Sequence, residues 1–298
     1  MLTVSNADRV VFPAIGRTKG DVVAYFDRIA TKALPHLLDR PLSIKRFPKG
    51  LAGPGFFQKN VPKHYPSSFG HFEVPRQEGG VTTYPVVREA AHLPYLANQG
   101  ALELHITTAK VLELDTPDRI IIDLDPPPGA IDLVRKAAFH VKDLFEGFGL
   151  TLTPVATGSK GYHLIARIRP TELGDTLHHA AALLAHVHPE VMTIAFKVAA
   201  RGKRVFVDWL RNRAMATAVA PFSLRALPKA SVATPLTWAE LETTAPDAFT
   251  IADVDRLLDR PDPLAEQKPA DPKPFMHAVK TAFEASGIVL EKFDRFRS

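Results

Sequence analysis

The chain has 298 residues, 46% hydrophobic and 23% charged, which is the composition of an ordinary globular protein large enough to bury a full core. It contains no cysteine, so disulfides, thiolate metal sites and cysteine nucleophiles are excluded. The formal net charge of +5 favours a polyanionic partner. No apolar run is long enough to span a membrane and the N-terminus has no signal-peptide pattern, so we expect a cytoplasmic protein without a membrane partner.

The first predicted element is an amphipathic helix from Asp21 to Leu38. Thr18 followed three residues later by Asp21 is a capping-box pattern, which marks a helix start. Arg9 and Lys19 lie just before or at this start, and the N-terminus of a helix favours a bound anion. A solvated helix cap is the alternative explanation of the same spacing.

Basic and aromatic residues follow together. Residues 43–50 alternate as in an edge strand, and a glycine-rich loop then carries the adjacent rings Phe56 and Phe57. The basic residues that bracket these rings are Lys45, Arg46, Lys49 and Lys59. Cations can contact phosphates while rings stack on bases, so the pattern suits a nucleic-acid surface. One of two neighbouring Phe residues in a strand usually faces the core, so we expect core packing to account for at least one ring.

Residues 101–106 predict a strand with leucine and isoleucine on one face. Glu103 and His105 share the other face. A single histidine in a strand is more often a hydrogen-bonded structural residue than a catalytic one.

The most informative element is the strand at residues 119–125. Three isoleucines run into Asp123, Leu124 and Asp125, and a proline-glycine stop follows. Residues two apart share a face, so the two acids point the same way and Leu124 points into the opposite layer. Two unpaired carboxylates on one face of a buried strand are unfavourable, and a divalent cation such as Mg²⁺ or Mn²⁺ removes the conflict. A strand that ends at a solvated acidic turn is the alternative.

After a predicted helix at 131–148, residues 153–168 read as a hairpin. Its turn, residues 158–161, contains two glycines that can expose backbone N–H groups. Ser159 adds a hydroxyl, and Lys160 and His163 can add positive charge. Such a turn can cradle phosphates, whereas the spacing of a P-loop is absent. A tight hairpin with a solvated lysine is the alternative.

A second apolar strand ends on Asp208 and repeats the arrangement of the first. Three carboxylates from two segments are the ligands that two-metal phosphoryl transfer requires, with ions ~3.5–4 Å apart. We expect residues 1–258 to form one catalytic unit of two packed subdomains. Residues 259–274 have the composition of a proline-rich linker, and residues 275–298 predict a C-terminal helix.

Three motifs resemble the signatures of archaeo-eukaryotic primase-type polymerases: Ile-Ile-Asp-Leu-Asp-Pro at 121–126, Gly-Ser-Lys-Gly-Tyr-His-Leu at 158–164 and Val-Phe-Val-Asp-Trp-Leu-Arg-Asn at 205–212. The resemblance extends from about Ser5 to Leu258 and is greatest to the polymerase domain of bacterial end-joining ligase D and its stand-alone relatives. It implies an α/β (α+β) fold, in which an RRM-like antiparallel or mixed sheet flanked by helices packs against an N-terminal α/β subdomain.

The resemblance also implies roles by position. The metal ligands would be Asp123, Asp125 and Asp208, holding two Mn²⁺ or Mg²⁺ ions. The nucleotide-binding residues would be His105, Ser159, Lys160, Gly161, His163, Arg201 and Arg225. DNA would contact Lys45, Phe56, Phe57 and Lys59, and a 5′-phosphate would bind Arg9 and Lys19. The family usually has lysine where Arg9 stands and serine where Thr157 stands, and the first of these differences changes the geometry of phosphate contacts.

The implied activity is DNA-dependent nucleotidyl transfer, filling short gaps or extending ends in DNA repair such as non-homologous end joining. The substrates would be NTP or dNTP and gapped or broken double-stranded DNA with a 5′-phosphate, with ribonucleotides and Mn²⁺ preferred. A DNA ligase and a Ku-type end-binding protein are candidate partners, and the location would be the bacterial nucleoid. Two alternatives remain open: a de novo primase, which would use the same carboxylates, and a non-catalytic module that binds DNA ends through its basic face.

Overall fold

The computed structural model describes residues 2–76 and 78–290. Within them, the strands are β1 (Val10–Phe12), β2 (Arg17–Thr18), β3 (Leu42–Arg46), β4 (Phe56–Gln58), β5 (Gly70–Pro75), β6 (Val81–Val86), β7 (Ala101–Thr107), β8 (Arg119–Asp125), β9 (Thr153–Ala156), β10 (Tyr162–Arg167), β11 (Met192–Thr193), β12 (Val205–Asp208), β13 (Thr217–Val219) and β14 (Thr234–Pro235). The helices are α1 (Lys19–Leu37), α2 (His92–Asn98), α3 (Ile131–Gly147), α4 (Thr176–Val187), α5 (Val198–Arg201), α6 (Trp238–Leu241), α7 (Val254–Asp259), α8 (Pro263–Glu266) and α9 (Lys273–Ser286). Of the helices in this part of the chain, none has the length and apolar character needed to cross a bilayer.

The start of α1 is set by local hydrogen bonds. The Thr18 hydroxyl accepts from the backbone N–H of Asp21 at 3.2 Å, and the Asp21 carboxylate accepts from the N–H of Thr18 at 2.7 Å. These two bonds satisfy donors that the first turn of a helix leaves unpaired. The predicted capping box is therefore confirmed.

A six-stranded mixed sheet forms the centre of the molecule, in the order β11-β12-β8-β10-β9-β14. β11 runs parallel to β12, whereas β8 is antiparallel to both of its neighbours. On β8, Ile120, Ile122 and Leu124 are fully buried in the main core, on the side that α3 and α4 cover. The alternating residues, which include Asp123 and Asp125, therefore lie on the opposite face. The predicted acidic strand is confirmed.

A second, four-stranded sheet has the order β13-β7-β3-β4. β3 was expected to be an edge strand from its alternation, but it lies between β4 and β7, where Lys45 pairs with Phe57 on one side and Glu103 on the other. That expectation is wrong because both partner strands come later in the chain, and a local pattern does not reveal them. α2 packs on β7 and on α1.

The two sheets face each other across a small apolar contact. Ile121 of β8, Val155 of β9 and Ala218 of β13 belong to a buried cluster separate from the main core. Because Asp123 and Asp125 lie on the same face of β8 as Ile121, they open toward the four-stranded sheet. The predicted α/β fold with a helix-flanked mixed sheet and a second α/β unit is confirmed.

The proline-rich segment at 259–274 contacts the body of the protein at several points. Leu264 is 1% exposed, and the Asp262 carboxylate lies 2.7 Å from Nε2 of His36 on α1. The Gln267 side chain donates to the Thr151 carbonyl at 2.8 Å. The division into catalytic unit, linker and C-terminal helix stays a prediction, and residues 291–298 of that helix lie outside the described residues.

Candidate active site

Two of the predicted metal ligands face each other on neighbouring strands. Asp123 on β8 is the register partner of Asp208 on β12, and both side chains are buried. Asp125 lies two residues farther along β8 on the same face, with 27% of its side chain exposed. The antiparallel pairing thus brings acids from two distant segments of the chain to one side of one sheet.

The guanidinium of Arg211 lies between the two buried carboxylates. Its Nε is 3.1 Å from Oδ2 of Asp123 and 3.1 Å from Oδ2 of Asp208. Asn212 fixes the turn that carries it, because the Asn212 amide bonds the backbone N–H and C=O of Ile121 at 2.7 and 2.6 Å. A positive group therefore stands between two of the predicted metal ligands.

The two carboxylates differ in pKa. Burial opposes ionisation of Asp123, but the neighbouring His163 and Arg211 outweigh it and hold the pKa of Asp123 at about 2. Burial raises the pKa of Asp208, and the Asp123 carboxylate adds to this rise while Arg211 opposes it. The two carboxylates therefore concentrate negative charge at a buried position, and additional cations would reduce their repulsion.

The donor chemistry of this site fits hard divalent cations. Among residues 2–76 and 78–290, no three His, Asp or Glu side chains form a ready-made metal-binding group. Asp123, Asp125 and Asp208 nevertheless offer only carboxylate oxygens, which Mg²⁺ and Mn²⁺ prefer. The Arg211 nitrogen, in contact with two of these acids, marks a position that favours positive charge.

A cavity of about 180 Å³ opens beside the carboxylates, between the two sheets. Asp123 and Asp125 line it, whereas Asp208 lies outside the lining. The predicted nucleotide-binding residues in its wall are His105, Ser159, Lys160, Gly161, His163 and Arg225. Residues 217–219 of β13 contribute another part of the wall. The ammonium of Lys160 is 3.3 Å from Oδ1 of Asp125, so the cavity combines anionic and cationic side chains.

Two glycines let the turn between β9 and β10 approach its neighbours closely. At Gly161 a Cβ atom would lie 2.0 Å from the carbonyl oxygen of Leu124. Gly158 has φ +69°, and a Cβ there would lie 2.7 Å from Cγ of Arg225. The N–H of Gly158 donates to the carbonyl of Pro246 at 2.8 Å, so this group is not free to cradle a phosphate as the turn pattern predicts. The side chains of Lys160, His163 and Arg225 still line the cavity around this turn.

An exposed aromatic patch lies on β4, an edge strand of the four-stranded sheet. Phe56 is 48% exposed and Phe57 is 54% exposed. The expectation that one of these rings faces the core is therefore wrong. The Lys45 ammonium lies 5.9 Å from the centre of the Phe57 ring, and Lys59 is exposed just beyond the end of the strand. Rings and cations thus share one surface, as the sequence pattern predicts.

Arg9 and Lys19 line a second cavity of about 170 Å³. Lys19 is 7% exposed, and its ammonium donates to the carbonyl and hydroxyl oxygens of Ser5 at 2.7 and 2.8 Å. Burial lowers the pKa of Lys19, and the charge of Arg9 lowers it further. Arg46 also lines this cavity, so three basic residues meet there, and the described residues of its lining include no Asp or Glu.

One predicted nucleotide-binding residue lies away from the first cavity. The Arg201 guanidinium donates to the carbonyls of Ala195 and Phe196 at 3.0 and 3.1 Å and stacks 3.8 Å from the centre of the Phe206 ring. It is absent from the cavity lining.

Sequence reasoning missed Arg211 and Glu103 as site residues. Arg211 follows Asp208 by three residues, within the motif at 205–212. If the chain turns after β12, this spacing places the guanidinium of Arg211 next to the Asp208 carboxylate, so the spacing is a usable signal. Glu103 alternates with His105, but its contacts with Arg225 are non-local, and no short pattern indicates them.

The comparisons with known proteins agree on one family. Residues 18–264 match the model of the LigD primase-polymerase domain. The multifunctional non-homologous end joining DNA repair protein LigD of Mycobacterium tuberculosis is 34% identical over 283 residues, which are 91% of this chain and 37% of that protein. The bifunctional non-homologous end joining protein LigD of Bacillus subtilis is 30% identical over 266 residues, or 87% of this chain and 42% of that protein. The chain thus spans less than half the length of these curated relatives.

A solved structure gives the same result. The polymerase domain from Mycobacterium tuberculosis ligase D, in complex with DNA, superposes with a TM-score of 0.82 and 33% sequence identity over 90% of this chain and 99% of that one. Both the family and the fold that the motifs imply are confirmed. Polymerases of this kind are nucleotidyltransferases and generally use divalent metal ions. The chain belongs to the LigD primase-polymerase domain family.

Proposed function

We propose that this chain is a DNA-dependent nucleotidyltransferase that extends a primer at short gaps or broken ends in non-homologous end joining. The observation that carries the proposal is the pairing of Asp123 with Asp208 around one guanidinium, beside a cavity lined by cationic side chains. The names of the relatives support the pathway, since they are end-joining repair proteins.

In this proposal Asp123, Asp125 and Asp208 hold two Mn²⁺ or Mg²⁺ ions. Such ions activate an attacking oxygen and stabilise the leaving group in phosphoryl transfer. Lys160, with 57% of its side chain exposed, and the Arg225 guanidinium bind the triphosphate that enters the cavity. The primer 3′-hydroxyl then attacks the α-phosphate, and pyrophosphate leaves. In this proposal the protein prefers ribonucleotides over deoxyribonucleotides, and Mn²⁺ over Mg²⁺.

The DNA is bound on surfaces outside the cavity. Phe56 and Phe57 stack on template bases, and Lys45 and Lys59 contact phosphates. The Phe57 ring packs edge-on against the His105 ring, with centroids 5.4 Å apart, so the aromatic patch adjoins the nucleotide cavity. Arg9 and Lys19 bind the 5′-phosphate on the far side of a gap. A DNA ligase and a Ku-type protein are the partners proposed for the C-terminal helix.

The test is primer extension on a gapped duplex, with NTP or dNTP and with Mn²⁺ or Mg²⁺. Asp123→Asn and Asp208→Asn are expected to lower the rate about 1000-fold, because losing a metal ligand removes several kcal/mol of transition-state stabilisation. Asp132→Asn is the matched control, since the Asp132 side chain is 93% exposed on α3. Extension at the wild-type rate by both site variants, or none by the wild type, would contradict the proposal. Equal product yield without a primer would indicate a primase instead.

A further inference from the structure

A buried carboxylate sits between the nucleotide cavity and the aromatic patch. Glu103 on β7 has 4% of its side chain exposed, and four neighbours surround its two oxygens. Oε2 is 2.8 Å from Nε2 of His105 and 3.6 Å from Nε of Arg225. Oε1 accepts from the N–H of Ala226 at 3.0 Å and lies 3.5 Å from the Lys45 ammonium. Glu103 therefore contacts residues of both proposed binding surfaces.

The charge of this carboxylate is retained at neutral pH. Burial opposes its ionisation, but the hydrogen bond from His105 and the charge of Arg225 outweigh burial and hold the pKa of Glu103 at about 2. A hydrogen bond at the next residue holds the strand that carries Glu103: the Leu104 N–H donates to the Ser223 hydroxyl at 2.8 Å. The oxygens of Glu103 thus act as a fixed anchor rather than a mobile surface charge.

The contact with Glu103 determines how His105 is presented. A carboxylate only accepts hydrogen bonds, so Nε2 of His105 must carry a proton and Nδ1 of the neutral ring keeps its lone pair. Edge-on packing of the Phe57 ring, 5.4 Å away between centroids, restricts rotation of the imidazole. The ring that lines the cavity is therefore defined in both orientation and tautomer.

The same carboxylate restricts Arg225. One terminal nitrogen, Nη1, donates to the Thr157 carbonyl at 2.7 Å, while Nε faces Glu103 at 3.6 Å. The side chain also passes close to Gly158, where any Cβ would meet it. These contacts hold the guanidinium at the wall of the cavity before any ligand enters.

We propose that Glu103 is a positioning residue, whose carboxylate holds the imidazole of His105 and the guanidinium of Arg225 in the geometry that receives the incoming nucleotide. The proposal rests on the proposed function, because it assigns these two residues to a nucleotide. Glu103 itself lies outside the cavity lining and acts through its neighbours.

The test is Glu103→Gln, which preserves size and removes the charge. Loss of one charge-assisted contact predicts about tenfold weaker binding of a non-hydrolysable nucleoside triphosphate in the presence of Mn²⁺, measured by calorimetry, and a KM raised more than kcat is lowered. Glu89→Gln is the matched control: Glu89 also pairs with a histidine, His92, at 3.1 Å, but away from the cavity.

A spectroscopic measurement separates positioning from simple stabilisation. The imidazole ¹⁵N shifts of His105, assigned by the signal lost in His105→Gln, should report the Nε2–H tautomer in the wild type and in Glu89→Gln. In Glu103→Gln they should report a mixture, because an amide can donate as well as accept. If Glu103→Gln does not fold, Glu103→Asp takes its place. This variant should keep the Nε2–H tautomer of His105, because the carboxylate remains. It should raise KM, because the shorter side chain moves the charge away from His105 and Arg225 by one methylene.

Two failures can be told apart. A wild-type protein that binds no nucleotide overturns the proposed function. If the wild type binds nucleotide but Glu103→Gln keeps the same affinity and the same His105 tautomer, only the positioning role is overturned. If Glu103→Asp is needed instead, an unchanged KM has the same meaning.

Discussion

In the proposed function, Arg211 and the divalent cations would compete for the same carboxylates. A metal ion held by Asp123 and Asp208 must displace a guanidinium nitrogen that is 3.1 Å from each of them. Two like charges about 4 Å apart repel by about 4 kcal/mol at an effective dielectric constant of about 20. Arg211 therefore partly neutralises the two carboxylates, and metal binding would be coupled to movement of its side chain.

Replacing Arg211 with glutamine should tighten Mn²⁺ binding in the absence of nucleotide. Removal of the competing charge predicts about a tenfold lower dissociation constant after solvent screening, measured by calorimetry or by the spin resonance of free Mn²⁺. Arg169→Gln is the control, because Arg169 pairs with Asp271 at the surface with 64% of its side chain exposed. Unchanged or weaker Mn²⁺ binding by Arg211→Gln would contradict the competition.

In the proposed function, Lys19 would bind the 5′-phosphate through an N–H donor that Ser5 does not use. Its ammonium has three N–H groups, and Ser5 accepts two of them. We expect Lys19→Met to lose about a tenfold preference for gapped DNA with a 5′-phosphate over the same DNA without it, measured as two dissociation constants at fixed salt. Lys142→Met, on the helix that covers the other face of the six-stranded sheet, should keep the preference. A wild type without the preference would exclude the phosphate pocket.

At the scale of elements, what the sequence predicts depends on the range of the interaction. The start of α1 and the two faces of β8 follow from residues within one turn or one strand, and they are confirmed. The position of β3 inside its sheet, the exposure of Phe56 and Phe57, and the partners of Glu103 depend on strands distant in sequence. Local periodicity misses these. It predicts that the three aspartates act together, but it does not give the register that pairs Asp123 with Asp208.

α9 packs on the body of the protein through the side chains of its apolar face. Phe275 and Val279 are fully buried, and the Phe275 ring packs against Phe145 of α3 with centroids 4.6 Å apart. Phe275→Ala should lower the free energy of unfolding by about 3–5 kcal/mol, measured with urea, because it leaves a cavity in the core. Phe283→Ala, where a half-buried ring stacks on His179, should cost less. A loss below about 1 kcal/mol for Phe275→Ala would show that α9 is an independent appendage.

For the whole molecule, buried and half-buried histidines make the free energy of unfolding depend on pH. Burial is the largest cause that lowers the pKa of His36, His92, His105, His140 and His178 in the folded protein. The unfolded chain takes up these protons at its ordinary pKa of about 6.5, so below that pH it binds more protons than the folded chain. The stability contributed by the neutral rings is therefore present above pH ~6.5 and is lost as the solution becomes more acidic.

His36 is a direct test of this pH dependence, since it is 3% exposed. Asp262 raises its pKa through their hydrogen bond, whereas Arg119 and Arg167 add to the lowering by burial. We expect the free energy of unfolding of the wild type, measured with urea, to fall steadily from pH 7 to pH 5. His36→Gln should be less stable at pH 7 but should show a shallower fall, because one of the groups that titrates on unfolding is gone. A wild type equally stable at pH 5 and pH 7, or an unchanged slope in His36→Gln, would contradict the burial of neutral histidines as its cause.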